Sequence, residues 1–291
     1  MFDLQHFKKE ILESYQNNIL DDVLRIKATQ STHQEKAKAV NKLISEHQTV
    51  LKIKAKRGLE KSNLQQALLV LQYCTSVVSL EYRHCVWPYE YMALSRRVGE
   101  LWERFCCSAW DYPSKEGVKR VEAPYFSSVA STIRKRIKNY LPDNFNTLDL
   151  FNDVDILFEL IGEINMKEDE VFTVNGIPHI IDFKSGFGSN EKGNTLRLQT
   201  VGRAYKLWNT DTKLLFLVRQ EENNNYLNVI KRSGLWDVRC GTAAYNTIDE
   251  LTGSNIILIR EEIIDFEADL SDEFWMELSS HLSNLTSYLN W

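Results

Sequence analysis

Apolar residues recur at helical spacing through roughly the first eighty residues of the chain. The first apolar stripe consists of Leu4, Phe7, Ile11, Leu12 and Tyr15. Denser apolar positions over residues 64–78 predict a more buried helix. Gly58 marks an expected break, and Ser62 or Asn63 is the expected N-cap of the next helix. Residues 1–85 are therefore predicted to form an all-helical N-terminal region.

Beyond residue 85, helical patterns alternate with short apolar segments that are typical of strands. Helices are predicted over residues 88–110, 127–140, 148–160 and 195–208, and from the N-cap Ser271 onward. Strands are predicted over 171–184 as a hairpin, 213–218 and 227–230, with a short strand or loop over 119–126. This order predicts an α/β fold with helices flanking a mixed β-sheet. Residues 86–291 are expected to form this domain, with a C-terminal helical extension.

The hairpin carries the candidate chemistry. Asn175–Gly176 is a strong signal for a two-residue turn, because such a turn needs positive φ at both positions. With this turn at the tip, the numbers of each cross-strand pair sum to 351, which places Asp169 opposite Asp182. Lys184 then shares a face with Asp182, while the apolar residues on either side of Asp182 face the core. Like charges placed across a strand pair are destabilising, and a divalent cation between the two acids would offset that repulsion.

The order Asp, turn, Asp-x-Lys resembles the PD-(D/E)xK motif of the restriction-endonuclease-like nuclease superfamily, with Lys167-Glu168-Asp169 in place of its Pro-Asp. The resemblance covers roughly residues 90–235 and implies the αβββαβ core of that superfamily, a restriction-endonuclease-like fold. In the family, the two acids bind Mg²⁺ and the lysine orients or activates the attacking water. The resemblance therefore implies Asp169 and Asp182 as metal ligands and Lys184 as a further catalytic residue.

Other acids remain alternatives or additions to this set. Glu163, Glu168 and Glu170 compete with Asp169, because a register slip of one residue would turn every side chain to the other face. Glu103 lies four residues after a glycine, and this spacing resembles a Gly-x-x-x-Glu helix of several type II restriction endonucleases. There the glutamate points into the metal site, so the resemblance implies a catalytic role for Glu103, with Glu100 as the fallback.

Two segments near the hairpin are candidates for DNA contacts. The glycine-rich loop after the hairpin runs into a helix N-terminus, which is a natural seat for phosphate. Polar side chains at the end of an apolar strand could read base edges, although an ordinary turn explains them equally well. The predicted DNA-binding residues are Lys192, Asn194, Arg197, Gln199, Arg203, Arg219 and Gln220.

Composition and charge limit the class of protein and the cellular compartment that we expect. The 291 residues are 43% hydrophobic and 26% charged, as in folded globular proteins. No apolar run approaches the ~20 residues that span a bilayer, and five cysteines lack metal-ligand spacing, so a reduced, cytoplasmic protein without a membrane segment is expected. The net charge is −5, but residues 25–61 are strongly basic and could contact phosphates or simply form a solvated helix face.

The resemblance and these patterns together predict a Mg²⁺-dependent endodeoxyribonuclease that hydrolyses phosphodiester bonds in double-stranded DNA. The first choice is a sequence-specific type II restriction enzyme, which the resemblance implies to be a homodimer. The alternatives are a structure-selective or repair nuclease of the same fold, and an inactive nuclease-like DNA-binding module.

Overall fold

The computed structural model describes residues 2–141, 148–162, 165–186, 192–220, 225–281 and 287–291. The chain divides into two compact units. One comprises Met1–Glu116 with Tyr245–Trp291, and the other comprises Gly117–Ala244. In the described residues, no helix is long and apolar enough to cross a membrane.

Three long helices open the first unit, as the apolar periodicity predicts. They are α1 (Leu4–Ala28), α2 (His33–Gly58) and α3 (Lys61–Val86). Asp3 caps α1 by accepting from the His6 N–H, and Thr32 forms a capping box with Glu35 at the start of α2. The N-cap of α3 is Glu60, so the expected cap at Ser62 or Asn63 is wrong. The predicted burial of α3 is confirmed, since almost every described residue from Leu64 to Tyr82 is buried.

The remaining elements of the first unit are also helical. They are α4 (Tyr91–Cys107), a 3₁₀ turn (Ser108–Trp110), most of α9 (Thr242–Thr252), α10 (Ile256–Glu262), α11 (Phe266–Asp269) and α12 (Asp272–His281). The predicted cap Ser271 accepts from the Phe274 N–H at 3.3 Å. The apolar face of α4 packs inside this unit: the indole N–H of Trp102 donates to the Tyr245 hydroxyl at 2.8 Å. α4 also contacts α3 and lies in one unit with the N-terminal helices. The sequence analysis placed its boundary before α4, at residue 85.

The second unit is built on a five-stranded mixed sheet, in agreement with the predicted α/β class. Its strands are β1 (Val118–Arg120), β2 (Glu170–Val174), β3 (Ile177–Lys184), β4 (Lys213–Val218) and β5 (Asp237–Cys240), in the spatial order β1-β2-β3-β4-β5. Its helices are α5 (Phe126–Tyr140), α6 (Leu148–Ile161), α7 (Lys192–Trp208) and α8 (Asn225–Ser233). β1, β2 and β3 pair antiparallel in turn, while β3–β4 and β4–β5 are parallel.

The hairpin has the predicted register. Val174 pairs with Ile177 and Glu170 pairs with Ile181, so the numbers of each pair sum to 351. Both turn residues have positive φ, 51° at Asn175 and 83° at Gly176. The ladder ends at Glu170, so the residue before it lies one position beyond the strand pair.

One sequence prediction about this unit needs correction. Residues 227–230 are helical rather than extended, because Leu227 and Ile230, three positions apart, both turn into the core from one face of α8.

The prediction that the residues flanking Asp182 face a core is confirmed, since Ile181 and Phe183 are both buried. Ile180 lies on the same side of β3 as Asp182 and is completely buried against a cluster that includes Leu198 of α7. The central strands are therefore buried on both faces, as is usual for parallel pairs.

Candidate active site

Asp182 lies in the middle of β3 and is only 4% exposed. It is paired along the sheet with Phe216 of β4, and Ile180, two residues before it, packs against α7. Strand alternation directs its side chain toward α7. An ionised carboxylate in such a place needs a cation or several hydrogen-bond donors to offset its loss of hydration.

Arg197 of α7 is a cation that reaches this carboxylate. Its guanidinium donates to Asp182 Oδ2, and another nitrogen, Nη1, donates to Glu168 Oε2 at 2.8 Å. The remaining nitrogen, Nε, donates to Asn194 Oδ1 at 3.1 Å. Burial lowers the pKa of Arg197, but the carboxylates of Asp182 and Glu168 raise it by more, so the guanidinium stays charged. Arg197 thus joins two acids from different segments, a role that the sequence analysis did not predict.

Glu168 is the acid most strongly affected by this environment. It is 9% exposed, and burial, followed by its hydrogen bond with Asp182, raises its pKa to about 8. The neighbouring Arg197 opposes this increase without cancelling it. Glu168 stands in the sequence analysis only as an alternative to Asp169, yet it is the acid joined to Asp182 through Arg197.

Asp169 lies beside the same group. Its Oδ2 accepts from the Phe183 backbone N–H at 2.7 Å, so the side chain continues the hairpin where the ladder has ended. Burial of the carboxyl, followed by the charge of Asp182, raises the pKa of Asp169 to about 6, although the residue as a whole is exposed. Asp169 therefore lies near enough to Asp182 for the charge of Asp182 to act on it, as the predicted register implies.

Glu170 has a different partner. Its side chain is 6% exposed and forms an ion pair with Arg120 of β1, in which Arg120 Nε donates to Glu170 Oε2 at 2.9 Å. The neighbouring strand therefore supplies its counter-charge. Of the remaining alternatives for the first acid, Glu163 lies outside the described residues.

Lys184 and Arg219 lie at the C-terminal ends of the parallel strands β3 and β4. Lys184 ends β3 and is half-buried, and its carbonyl accepts from the Arg219 N–H at 2.9 Å. Arg219 is 6% exposed, and its Nε donates to Ser185 Oγ at 3.0 Å, so in this conformation it ties the end of β4 to the segment after β3. Gln220 packs against Gly186, where an added Cβ would lie 2.5 Å from Gln220 Oε1.

The other predicted DNA-binding residues lie on α7. Lys192 and Arg203 are exposed, Gln199 is half-buried, and Asn194 bonds Arg197. The helix therefore presents two basic side chains to solvent, while its Arg197 contacts the acids. Glu103 lies on α4 in the first unit and is half-buried, and its catalytic role stays a prediction.

A cleft of about 480 Å³ opens next to the acids. It is lined by residues 120–123, Tyr125, Asn165 and residues 167–171, which join the end of β1 to the segment before β2. The cleft is lined on its polar side by Lys167, Glu168 and Asp169. The half-exposed ring of Tyr125 also lines it. No pattern in residues 120–125 pointed to this cleft, because it forms where β1 and the residues after it pair with β2 and the residues before it.

The donor set suits a hard divalent cation. In the part of the chain that the structure describes, no group of three or more His, Cys, Asp or Glu side chains is arranged to hold a metal ion. Mg²⁺ needs no such group, because it keeps several waters and uses one or two carboxylates plus substrate phosphate. Asp182, Asp169 and Glu168 supply the carboxylates. Burial, followed by interactions with Asp182, raises the pKa values of Glu168 and Asp169, and a bound cation would favour the ionised form of both.

Comparison of the chain with protein-family models, with curated proteins and with solved structures finds no match.

Proposed function

We propose that this protein is a Mg²⁺-dependent endodeoxyribonuclease of the PD-(D/E)xK class whose active site lies in the second unit. The observation that carries the proposal is the pair of buried acids Asp182 and Glu168, with Asp169 beside them at the end of the hairpin. Burial, followed by interactions with Asp182, raises the pKa values of Glu168 and Asp169. Strongly perturbed carboxyls beside a cleft are typical of functional sites.

The element order supports the same class. Along the sequence, α4, β1, the β2–β3 hairpin, α7 and β4 follow the αβββαβ order that the resemblance implies, with α5 and α6 inserted after β1 and with α4 in the first unit. The Asp-x-Lys triplet ends the third strand of this series. This order supports the proposal.

Each side chain has a role in this proposal. Asp182 and Asp169 hold the metal, and Glu168 is placed to contribute a further oxygen. When bound, Mg²⁺ supplies Lewis acidity toward the phosphoryl group and lowers the pKa of water. Lys184, on the face of Asp182, positions the attacking water, while Lys192 and Arg203 on the exposed side of α7 contact DNA phosphates.

The resident ion pair of Arg197 with Asp182 favours one alternative from another class. A guanidinium that permanently neutralised the acid pair would leave a DNA-binding module without activity. A homodimeric type II restriction enzyme remains the first choice within the nuclease class, because the resemblance implies it.

Digestion of a sequenced phage genome in the presence of Mg²⁺ separates these possibilities. A discrete set of fragments is the expected result and indicates sequence-specific cutting. Cutting confined to branched or damaged DNA indicates a repair nuclease. Retention of DNA in a mobility-shift assay without any metal-dependent cutting would contradict the nuclease proposal and favour the binding module.

A further inference from the structure

Arg197 is held by the residues that would hold the metal. Its guanidinium contacts Glu168 and Asp182, whose side chains are 7% and 6% exposed, while its own side chain is 43% exposed. The guanidinium therefore lies over the solvent side of a buried acid pair. An oxygen of Asp182 that accepts from Arg197 cannot at the same time offer that lone pair to a metal ion.

We propose that Arg197 is an exchangeable cation of this acid pair, and that a divalent cation binds when a DNA phosphate draws Arg197 away. This inference rests on the proposed function and adds a mode of regulation to the same site. The exchange would make metal binding depend on DNA. Without DNA, Arg197 would remain on the acids as their counter-charge.

The position of Arg197 permits this exchange. The side chain is long and open to solvent along part of its length, so it has room to move away from the acids. A guanidinium binds phosphate through the same parallel N–H pairs with which it binds carboxylate. Lys192 and Arg203, exposed on the same helix, would bring the DNA backbone close to it.

Calcium binding measured by calorimetry tests the exchange without requiring catalysis, because Ca²⁺ also prefers carboxylate oxygens. The unaltered protein is compared with Arg197→Gln and with Arg232→Gln, which removes the same charge from an exposed position of α8. Without DNA, Arg197→Gln is expected to bind Ca²⁺ more tightly by about 5- to 150-fold, the usual range for coupled ligands. Arg232→Gln is expected to bind Ca²⁺ as the unaltered protein does.

Arg197→Lys distinguishes the ion-pair contacts from general repulsion. It keeps the positive charge but cannot bridge two carboxylates with one planar group, so exchange predicts a Ca²⁺ affinity between those of the unaltered protein and Arg197→Gln. A short DNA duplex should raise the Ca²⁺ affinity of the unaltered protein, and raise that of Arg197→Gln less. If Arg197→Gln does not fold, Arg197→Lys carries the test alone, and a Ca²⁺ affinity equal to that of the unaltered protein counts against the exchange.

Two results would overturn the inference in different ways. If Ca²⁺ affinity is equal in the unaltered protein and Arg197→Gln, and Asp182→Asn abolishes it, the metal site stands and the exchange is wrong. If Asp182→Asn binds Ca²⁺ as well as the unaltered protein, the metal site is wrong, and the proposed function and the exchange fail together.

Discussion

Glu168 gives the candidate site a pH dependence that can be measured without any substrate. Burial raises its pKa to about 8, from an ordinary value of 4.5. The folded protein therefore keeps a proton on Glu168 at pH values where the unfolded chain has lost it. The contribution of this proton to the free energy of unfolding is fully present below the unfolded pKa. It is lost as the pH rises through the folded pKa. Asp169, with its pKa raised to about 6, contributes with the same sign at lower pH.

Urea unfolding in the presence of EDTA should show a free energy of unfolding that falls between about pH 5 and pH 8. Glu168→Gln should flatten this fall, because glutamine does not titrate. An exposed acid of the same unit, changed in Asp237→Asn, is the control and should leave the slope as it is. Parallel pH profiles for Glu168→Gln and the unaltered protein would show that Glu168 is ionised normally.

The neighbouring acids are expected to differ sharply in what they do. Asp169→Asn should eliminate DNA cleavage while the fold persists, because Asp169 is proposed to bind the metal. Glu170→Gln should retain cleavage but lower stability by about 1–3 kcal/mol, because it replaces the buried carboxylate that accepts from Arg120 with a neutral amide. Rates of plasmid nicking and urea midpoints measured on both variants check this. The opposite result, an inactive Glu170→Gln with an active Asp169→Asn, would assign the first metal ligand to Glu170.

At the level of elements, the hairpin was the most predictable part of the chain. Asn175–Gly176 specifies a turn, and a two-residue turn specifies every pair that follows, down to Glu170 and Ile181. Residues 227–230 were mispredicted because a short apolar run satisfies both a strand and one face of a helix. The bridge made by Arg197 was not predictable, because it depends on how α7 packs across β3, a long-range contact that no local pattern encodes.

The turn itself can be tested by changing its glycine. Gly176 has φ of 83° and no neighbouring atom within 4 Å of an added Cβ, so Gly176→Ala carries a backbone penalty without a steric clash. It should lower the free energy of unfolding by about 1–2 kcal/mol. Gly58 ends α2 with equally open surroundings and no left-handed φ, so Gly58→Ala should be neutral or slightly stabilising. Equal effects of the two changes would contradict the assigned turn.

At the scale of the whole molecule, the helical unit has its own core. Trp291 is 6% exposed, and its ring lies 4.8 Å from that of Phe266 and 5.5 Å from that of Phe105, measured between centroids. The basic stretch of residues 25–61 belongs to this unit, and some of its charges have partners there: Lys52 pairs with Asp111 at 3.8 Å. The fold gives no support to the hypothesis that residues 25–61 contact DNA phosphates.

Replacing Trp291 should therefore destabilise the helical unit rather than the site. Trp291→Ala is expected to lower the free energy of unfolding by about 3–5 kcal/mol, because it leaves a large cavity between aromatic rings. Met276→Ala, at a position that is 64% exposed, should change it little. Hydrogen exchange resolved by peptide should show the loss of protection in Met1–Glu116 and Tyr245–Trp291. Loss confined to β3 and β4 would contradict the division into two units.

The central claim is that Asp182 in the buried strand β3 anchors a metal-dependent nuclease site, and the most direct test is the cleavage of supercoiled plasmid. With Mg²⁺, the unaltered protein and Asp237→Asn should cut the plasmid, whereas Asp182→Asn should not, and EDTA should stop all cutting. All three proteins should remain folded. Cutting by Asp182→Asn at the rate of the unaltered protein, or no metal-dependent cutting of any DNA by the unaltered protein, would contradict the account.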